Sequence, residues 1–153
     1  MNVMWRYLDK RTATINAIKD YESMQFIIAS TDEEIKQAYD KMSSVGGAKW
    51  DDMPKVHHNP QGFDEKVLNA IEEIDILKER YQQAVEYMNW FQPAWKQMTD
   101  EERYVLENFY GKKSYGVNAV YYIAEYLKIE VPTVYKRKNR ALDRLTILLF
   151  GKS

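Results

Sequence analysis

Five cationic side chains, Lys136, Arg137, Lys138, Arg140 and Arg144, fall between residues 132 and 144 against a single acid, Asp143. Thr133, Tyr135 and Asn139 are interleaved with them. These residue types suit the surface of duplex DNA. Arg and Lys can read guanine edges, Asn can read adenine, and Thr can touch a base or a phosphate. Placed after Pro132, the residues Thr133, Tyr135, Lys136, Arg137, Asn139 and Arg140 occupy the N-terminal half of one helix, the half that enters a major groove. They are the expected base-reading positions. Lys112, Lys113, Lys138 and Arg144 are expected at phosphates, which set affinity and register more than sequence choice. A basic run alone is usually a solvated helix face, so the assignment depends on the elements around it.

Those elements have the order of a helix-turn-helix. Residues 119–145 read AVYYIAEYLKIEVPTVYKRKNRALDRL. The motif needs two short helices crossing steeply, joined by a short turn. Ala124 is the small residue where the second helix would pack, Ile123 and Leu127 face the core, and Ile129 plugs the turn. Val134, Ala141 and Leu145 continue the buried face. A helix over 119–128, capped by Asn118, precedes a helix that starts at Pro132, suited to a first helical position, and stops at Gly151 after about Phe150. Upstream, Thr99-Asp100-Glu101-Glu102 is a capping box with acids on the positive end of the helix dipole. Val105, Leu106, Phe109 and Tyr110 form the apolar face of that helix, Gly111 ends it, and 112–117 is a loop.

The rest of the chain must hold this motif in place. Met4, Leu8, Ile15, Ile18 and Ile28 suggest a helix over residues 3–29, with Ser23 the point where it could break. Thr31 and Glu34 read as a second capping box opening a short helix to about Met42. Residues 43–62, with Gly46, Gly47, Pro54, Asn59-Pro60 and Gly62, read as a connecting loop. From Asp64 a long helix carries Val67, Ala70, Ile74, Leu77, Tyr81, Ala84, Met88, Phe91 and Trp95 at alternating steps of three and four. That is a heptad seam. Its partner is either the N-terminal helices of the same chain or the same helix of a second copy, which would make a homodimer through Val67, Ile74, Leu77, Tyr81 and Met88. Pro93 should end or kink the helix, and Trp90, Phe91 and Trp95 should pack against the last domain. The expected fold is all-α: an N-terminal helical hairpin over 1–97, for dimerisation or partner contact, and a helix-turn-helix domain over 98–153.

Composition narrows the function classes. The chain holds no Cys, which excludes disulfides and thiolate zinc sites. It has no apolar run long enough to span a membrane, and Trp5, Arg6, Asp9, Lys10 and Arg11 interrupt any signal-peptide start, so a cytoplasmic protein with no membrane partner is expected. The net charge of -1 is unevenly spread: residues 99–153 hold ten Lys/Arg and seven Asp/Glu, while the remainder is acidic. An acidic body with one basic helix fits a localised nucleic-acid contact. His57-His58 with Asp51-Asp52 lack a helix to converge them on a metal and read as a polar loop. Glu72, Glu73 and Asp75 read as a hydrated face. Gly46-Gly47 lacks the strand and Lys-Ser/Thr of a phosphate loop. Tyr104, Tyr110, Tyr121, Tyr122 and Tyr126 read as packing residues with wet hydroxyls. No nucleophile, acid-base pair or metal set is visible, so neither an enzyme nor a cofactor is expected.

The order MTDEERYVLENFY followed by AVYYIAEYLKIEVPTVYKRKNRALDRL makes residues 98–149 resemble region four of bacterial sigma factors. With its helical N-terminal half and Gly-containing loop, the chain is similar to phage-encoded ArpU-type late transcription regulators of Gram-positive bacteria and their mobile elements. The resemblance implies that Thr133, Tyr135, Lys136, Arg140 and their neighbours read DNA, in the nucleoid of a bacterial host. The loop KKSYGV is longer than the family pattern, and Val131 replaces the usual polar helix cap. Nothing resembles the promoter-melting region of a complete sigma factor. Two readings stay open: a DNA-binding transcription regulator, with RNA polymerase or a second copy as further partner, or a non-catalytic module that docks on polymerase or another regulator. A purely structural coiled coil would leave the C-terminal motif unexplained.

Overall fold

The computed structural model describes residues 8–46 and 60–152. Among the described residues every regular element is helical, as the composition predicts: α1 (Lys10–Gly46), α2 (Pro60–Gln97), α3 (Asp100–Tyr110), α4 (Ala119–Leu127) and α5 (Val131–Phe150), with a 3-10 turn at Gly116–Asn118. None of these helices is long and apolar enough to cross a membrane.

α1 corrects the expectation of two N-terminal helices. It runs through Ser23 and Thr31 as one helix of 37 residues. Thr31 is fully buried, and its hydroxyl donates to the Ile27 carbonyl one turn back instead of capping a new start. A threonine hydroxyl can do either. Here the continuous face of Ile28, Thr31, Ile35 and Ala38 keeps it in the helix interior. The start falls to Asp9, whose carboxylate accepts from the Thr12 amide at 3.2 Å and the Thr12 hydroxyl at 2.7 Å. The Thr12 hydroxyl, then its amide, holds the Asp9 carboxyl below the usual range.

α2 begins at Pro60, four residues before the expected start at Asp64, because proline presets the first helical φ. The predicted loop 43–62 is therefore helical at both ends. Residues 47–59, with Asp51, Asp52, His57 and His58, lie outside the described residues, as do residues 3–7. Pro93 does not end α2, which continues to Gln97. Pro93 faces solvent, while Phe91, Ala94, Trp95 and Met98 are all buried and hold the last turn.

The chain forms two compact units, and α1 and α2 contribute to both. In the unit Gln25–Glu86 the two helices run antiparallel. Glu34 takes two hydrogen bonds from Arg80, at 2.8 and 2.9 Å, and Lys41 and Met42 share a cleft with Lys66, Val67 and Glu73. Ala70, Ile74, Leu77 and Ala84 are buried, as are Thr31 and Ala38, and Val67 and Tyr81 are half-buried. The heptad seam is thus filled from within one chain here. Met88, also buried, belongs to the other unit.

That other unit takes in residues 8–24 and 87–152, so it extends across the division expected at residue 98. One apolar cluster joins Ala17 and Ile18 of α1, Phe91, Ala94 and Trp95 of α2, Met98 just beyond it, Leu106 of α3, and Ala141, Leu142, Leu145 and Leu149 of α5. Phe91 is its centre: fully buried, it lies 5.3 Å from the Tyr21 ring, 5.3 Å from Tyr87 and 5.4 Å from Trp95. Polar edges are satisfied at the margin, with Trp90 Nε1 donating to the Leu149 carbonyl at 3.2 Å and the Tyr87 hydroxyl to the Ala17 carbonyl. A buried hydroxyl pair ties the outer helices together: Thr146 Oγ1 lies 2.9 Å from Thr14 Oγ1.

α3 starts as predicted, with Thr99 and Glu102 exchanging both bonds of the capping box. Gly111 ends it in extended backbone, φ -65° and ψ 165°, not in a left-handed turn. Glycine is needed there for space, since a Cβ would sit 2.5 Å from the Glu107 carbonyl oxygen.

Candidate nucleic-acid interface

α4 and α5 are joined by three residues, Lys128, Ile129 and Glu130. Lys128 takes the left-handed conformation at φ 55° and ψ 49°, and the Ile129 amide closes back on the Ala124 carbonyl at 3.0 Å. Asn118 precedes α4 without a side-chain cap, a correction to its expected role. Val105, Val120, Ile123 and Val134 form the second core cluster, with Ala124, Leu127, Ile129 and Val131 packed against it. Ile123 and Val134 are fully buried, and Ala124 and Ile129 hold the places the pattern predicts for them.

α5 begins one residue earlier than expected, at Val131, with Pro132 in its first turn and no side-chain cap from Glu130. Its buried residues Val134, Ala141, Leu142, Leu145, Thr146 and Leu149 define one face. The helical period then fixes the opposite face, on which Lys136 and Arg140 lie one turn apart, both exposed. No ion pair to either is found among the described residues. Thr133 is half-buried beside them.

The remaining expected contact residues of α5 lie off this face, and each has a protein partner. On one flank Arg137 pairs with Glu101, and Arg144 pairs with Glu102 and donates to the Gln97 carbonyl at 3.1 Å. An open cleft of about 340 Å³ lies there, lined by Thr99, Glu101, Glu102, Val105, Arg137, Arg140 and Ala141. Lys138, one turn from both Val134 and Leu142, lies on the buried side of α5 and is half-buried, with its ammonium 5.0 Å from the centre of the Phe109 ring and 5.3 Å from Tyr135. Burial first, and the Arg11 guanidinium second, lower its pKa. Asn139 accepts from Arg11 Nη2 at 2.8 Å, and Arg11 Nη1 reaches Asp143 at 3.3 Å. Lys112 and Lys113 are exposed in the turn after α3.

Two features were not legible from the motif. Arg11, 128 residues from Asn139, carried no local signal. The tyrosines of α4 correct the packing expectation: Tyr121, Tyr122 and Tyr126 are 63%, 50% and 67% exposed. A helix of nine residues with Ala119, Val120 and Ile123 inward has no room on that face for them. Tyr122 instead lies tilted against Tyr115 at 4.3 Å, and Tyr126 against half-buried Tyr104 at 4.4 Å. Tyr110 is half-buried, in keeping with the packing expectation. No group of His, Asp or Glu among the described residues could hold a metal ion. Comparison of the chain with family models, with curated proteins and with solved structures finds no match.

Proposed function

We propose that the chain is a DNA-binding transcription regulator of phage or mobile-element type, in which α4 and α5 act as a helix-turn-helix and α5 enters the major groove. One observation carries the reading. Lys136 and Arg140 stand on the outward face of a helix whose other face is locked into the core, so two long cations are presented from a rigid rod. Thr133, Tyr135, Arg137 and Asn139 complete the base-reading set. Lys112, Lys113 and Arg144 neutralise phosphates, and exposed tyrosine hydroxyls on α4 can donate hydrogen bonds to others. Arg137 and Arg144 need only exchange surface carboxylates for DNA, and such exposed pairs are worth about 1 kcal/mol or less. One such module makes few contacts, so a second copy or RNA polymerase supplies the rest. The likeness of residues 98–149 to sigma region four supports polymerase.

Replacing Lys136 and Arg140 together by Ala tests the proposal by gel shift across salt concentrations. The expected result is a loss of specific affinity of about a hundredfold, at roughly 1–3 kcal/mol for each base contact, with melting temperature unchanged. Unaltered binding by the double variant overturns the groove reading. The second reading, a docking module for polymerase or another regulator, is favoured by the carboxylates that pair with Arg137 and Arg144. It predicts that the same variant loses protein binding instead.

A further inference from the structure

The structure places α1 against the edge of α5 that carries Asn139, and the chemistry of that contact bears on which base Asn139 could read. We infer that Arg11 is a specificity-determining residue: by holding the Asn139 carboxamide oxygen, it turns the amide NH2 outward, so that this position selects a base offering a hydrogen-bond acceptor and rejects cytosine. The inference rests on the DNA-binding reading and sharpens it.

The argument starts from donor and acceptor inventory. A guanidinium carries only donors, so the amide atom facing Arg11 must be Oδ1. Arg11 Nη2 lies 2.8 Å from it. Asn139 can pair with adenine through both amide atoms only if Oδ1 and Nδ2 point at the base together. With Oδ1 engaged toward α1, Nδ2 is the atom left to donate. Purine N7, guanine O6 and thymine O4 all accept such a donor, whereas cytosine presents its N4 amine, a donor, at the groove edge.

Arg11 is held in place for this role. Asp143, one helical turn beyond Asn139 on α5, takes its other terminal nitrogen at 3.3 Å. The Asp9 carboxylate anchors the first turn of α1 through Thr12. Thr14, one turn further along α1, meets Thr146 across the buried hydroxyl pair. The guanidinium therefore approaches α5 from a helix whose register along it is marked by a buried hydroxyl pair.

Selection from a pool of randomised duplexes tests the inference on the full chain. The wild-type chain should yield a motif with one position at which cytosine is depleted roughly tenfold or more. Arg11→Met should abolish that depletion and enrich adenine there, because the freed amide can turn both atoms to the base. Arg11→Lys, which also offers only donors, should keep the depletion. Asn139→Asp, an acceptor only, should invert the preference toward cytosine. The Lys and Asp variants carry the test should Arg11→Met fail to fold, as judged by circular dichroism. A motif that Arg11→Met and Asn139→Asp both leave unchanged overturns the role of Arg11 while leaving the groove reading intact. Failure of the wild-type chain to select any motif overturns the groove reading, and this inference with it.

Discussion

The cations of α5 have distinct states, and the states predict different behaviour. Arg137 is tied to Glu101, so the carboxylate competes with DNA for it. Glu101→Gln is expected to tighten duplex binding about threefold, within the roughly 1 kcal/mol range of exposed pairs, and more at low salt, where screening is weakest. Titration calorimetry at two ionic strengths checks this, and unchanged affinity at both would remove Glu101 as a competitor. Lys138 differs because its surroundings disfavour its charge: burial first, then Arg11, push its pKa below the ordinary lysine value of 10.5. As pH rises it should lose its proton below that value, and with it the cation held over the Phe109 and Tyr135 rings. NMR of labelled lysines should find Lys138 titrating below 10.5, and Arg11→Met should move it upward but not fully back, since the larger cause remains. The sequence showed these cations but not their states. Nothing local to positions 136–144 indicates that Glu101, Glu102 and Arg11 come to meet them.

At the scale of elements, what was legible depended on whether a signal was local and uncontested. The box at Thr99 and Glu102 and Gly151 closing α5 needed only their neighbours, and both stand as predicted, while Pro132 falls in the first turn of α5, one residue after its start at Val131. The box at Thr31 and Glu34 had the same spelling, yet burial of Thr31 on a continuous apolar face overrode it and α1 ran on. Pro93 likewise failed to stop α2, because the four buried residues around it outweigh one missing ladder bond. Gly111 was legible as a stop but for a different cause: it makes room for a carbonyl and does not supply a left-handed turn. Gly111→Ala is therefore expected to destabilise the protein by about 1–3 kcal/mol, the usual range for forcing a group into occupied space. Thr99→Ala should cost about 1 kcal/mol through the lost cap. Urea denaturation measures both, and an Ala at 111 with no cost would mean that the end of α3 relaxes freely.

On the whole-molecule scale, the all-helical class followed from composition and spacing, and the seam of α2 was legible down to its steps. Which helix fills the seam was not, because periodicity is silent on partners; α1 supplies it within Gln25–Glu86. The division at residue 98 looked natural in a linear reading, but the core around Phe91 draws from residues at both extremes of the numbering, with Thr14 and Thr146 132 positions apart. That span has a kinetic consequence. The unit holding α3 and α4 cannot close until α5 has emerged from the ribosome, since Leu142 and Leu145 fill its centre. Long-range closure of this kind delays folding relative to a bundle of sequential neighbours. A nascent chain arrested after residue 130 should therefore be cut by protease between 87 and 110, and one released with α5 should resist, so this unit matures only after its own synthesis is nearly done.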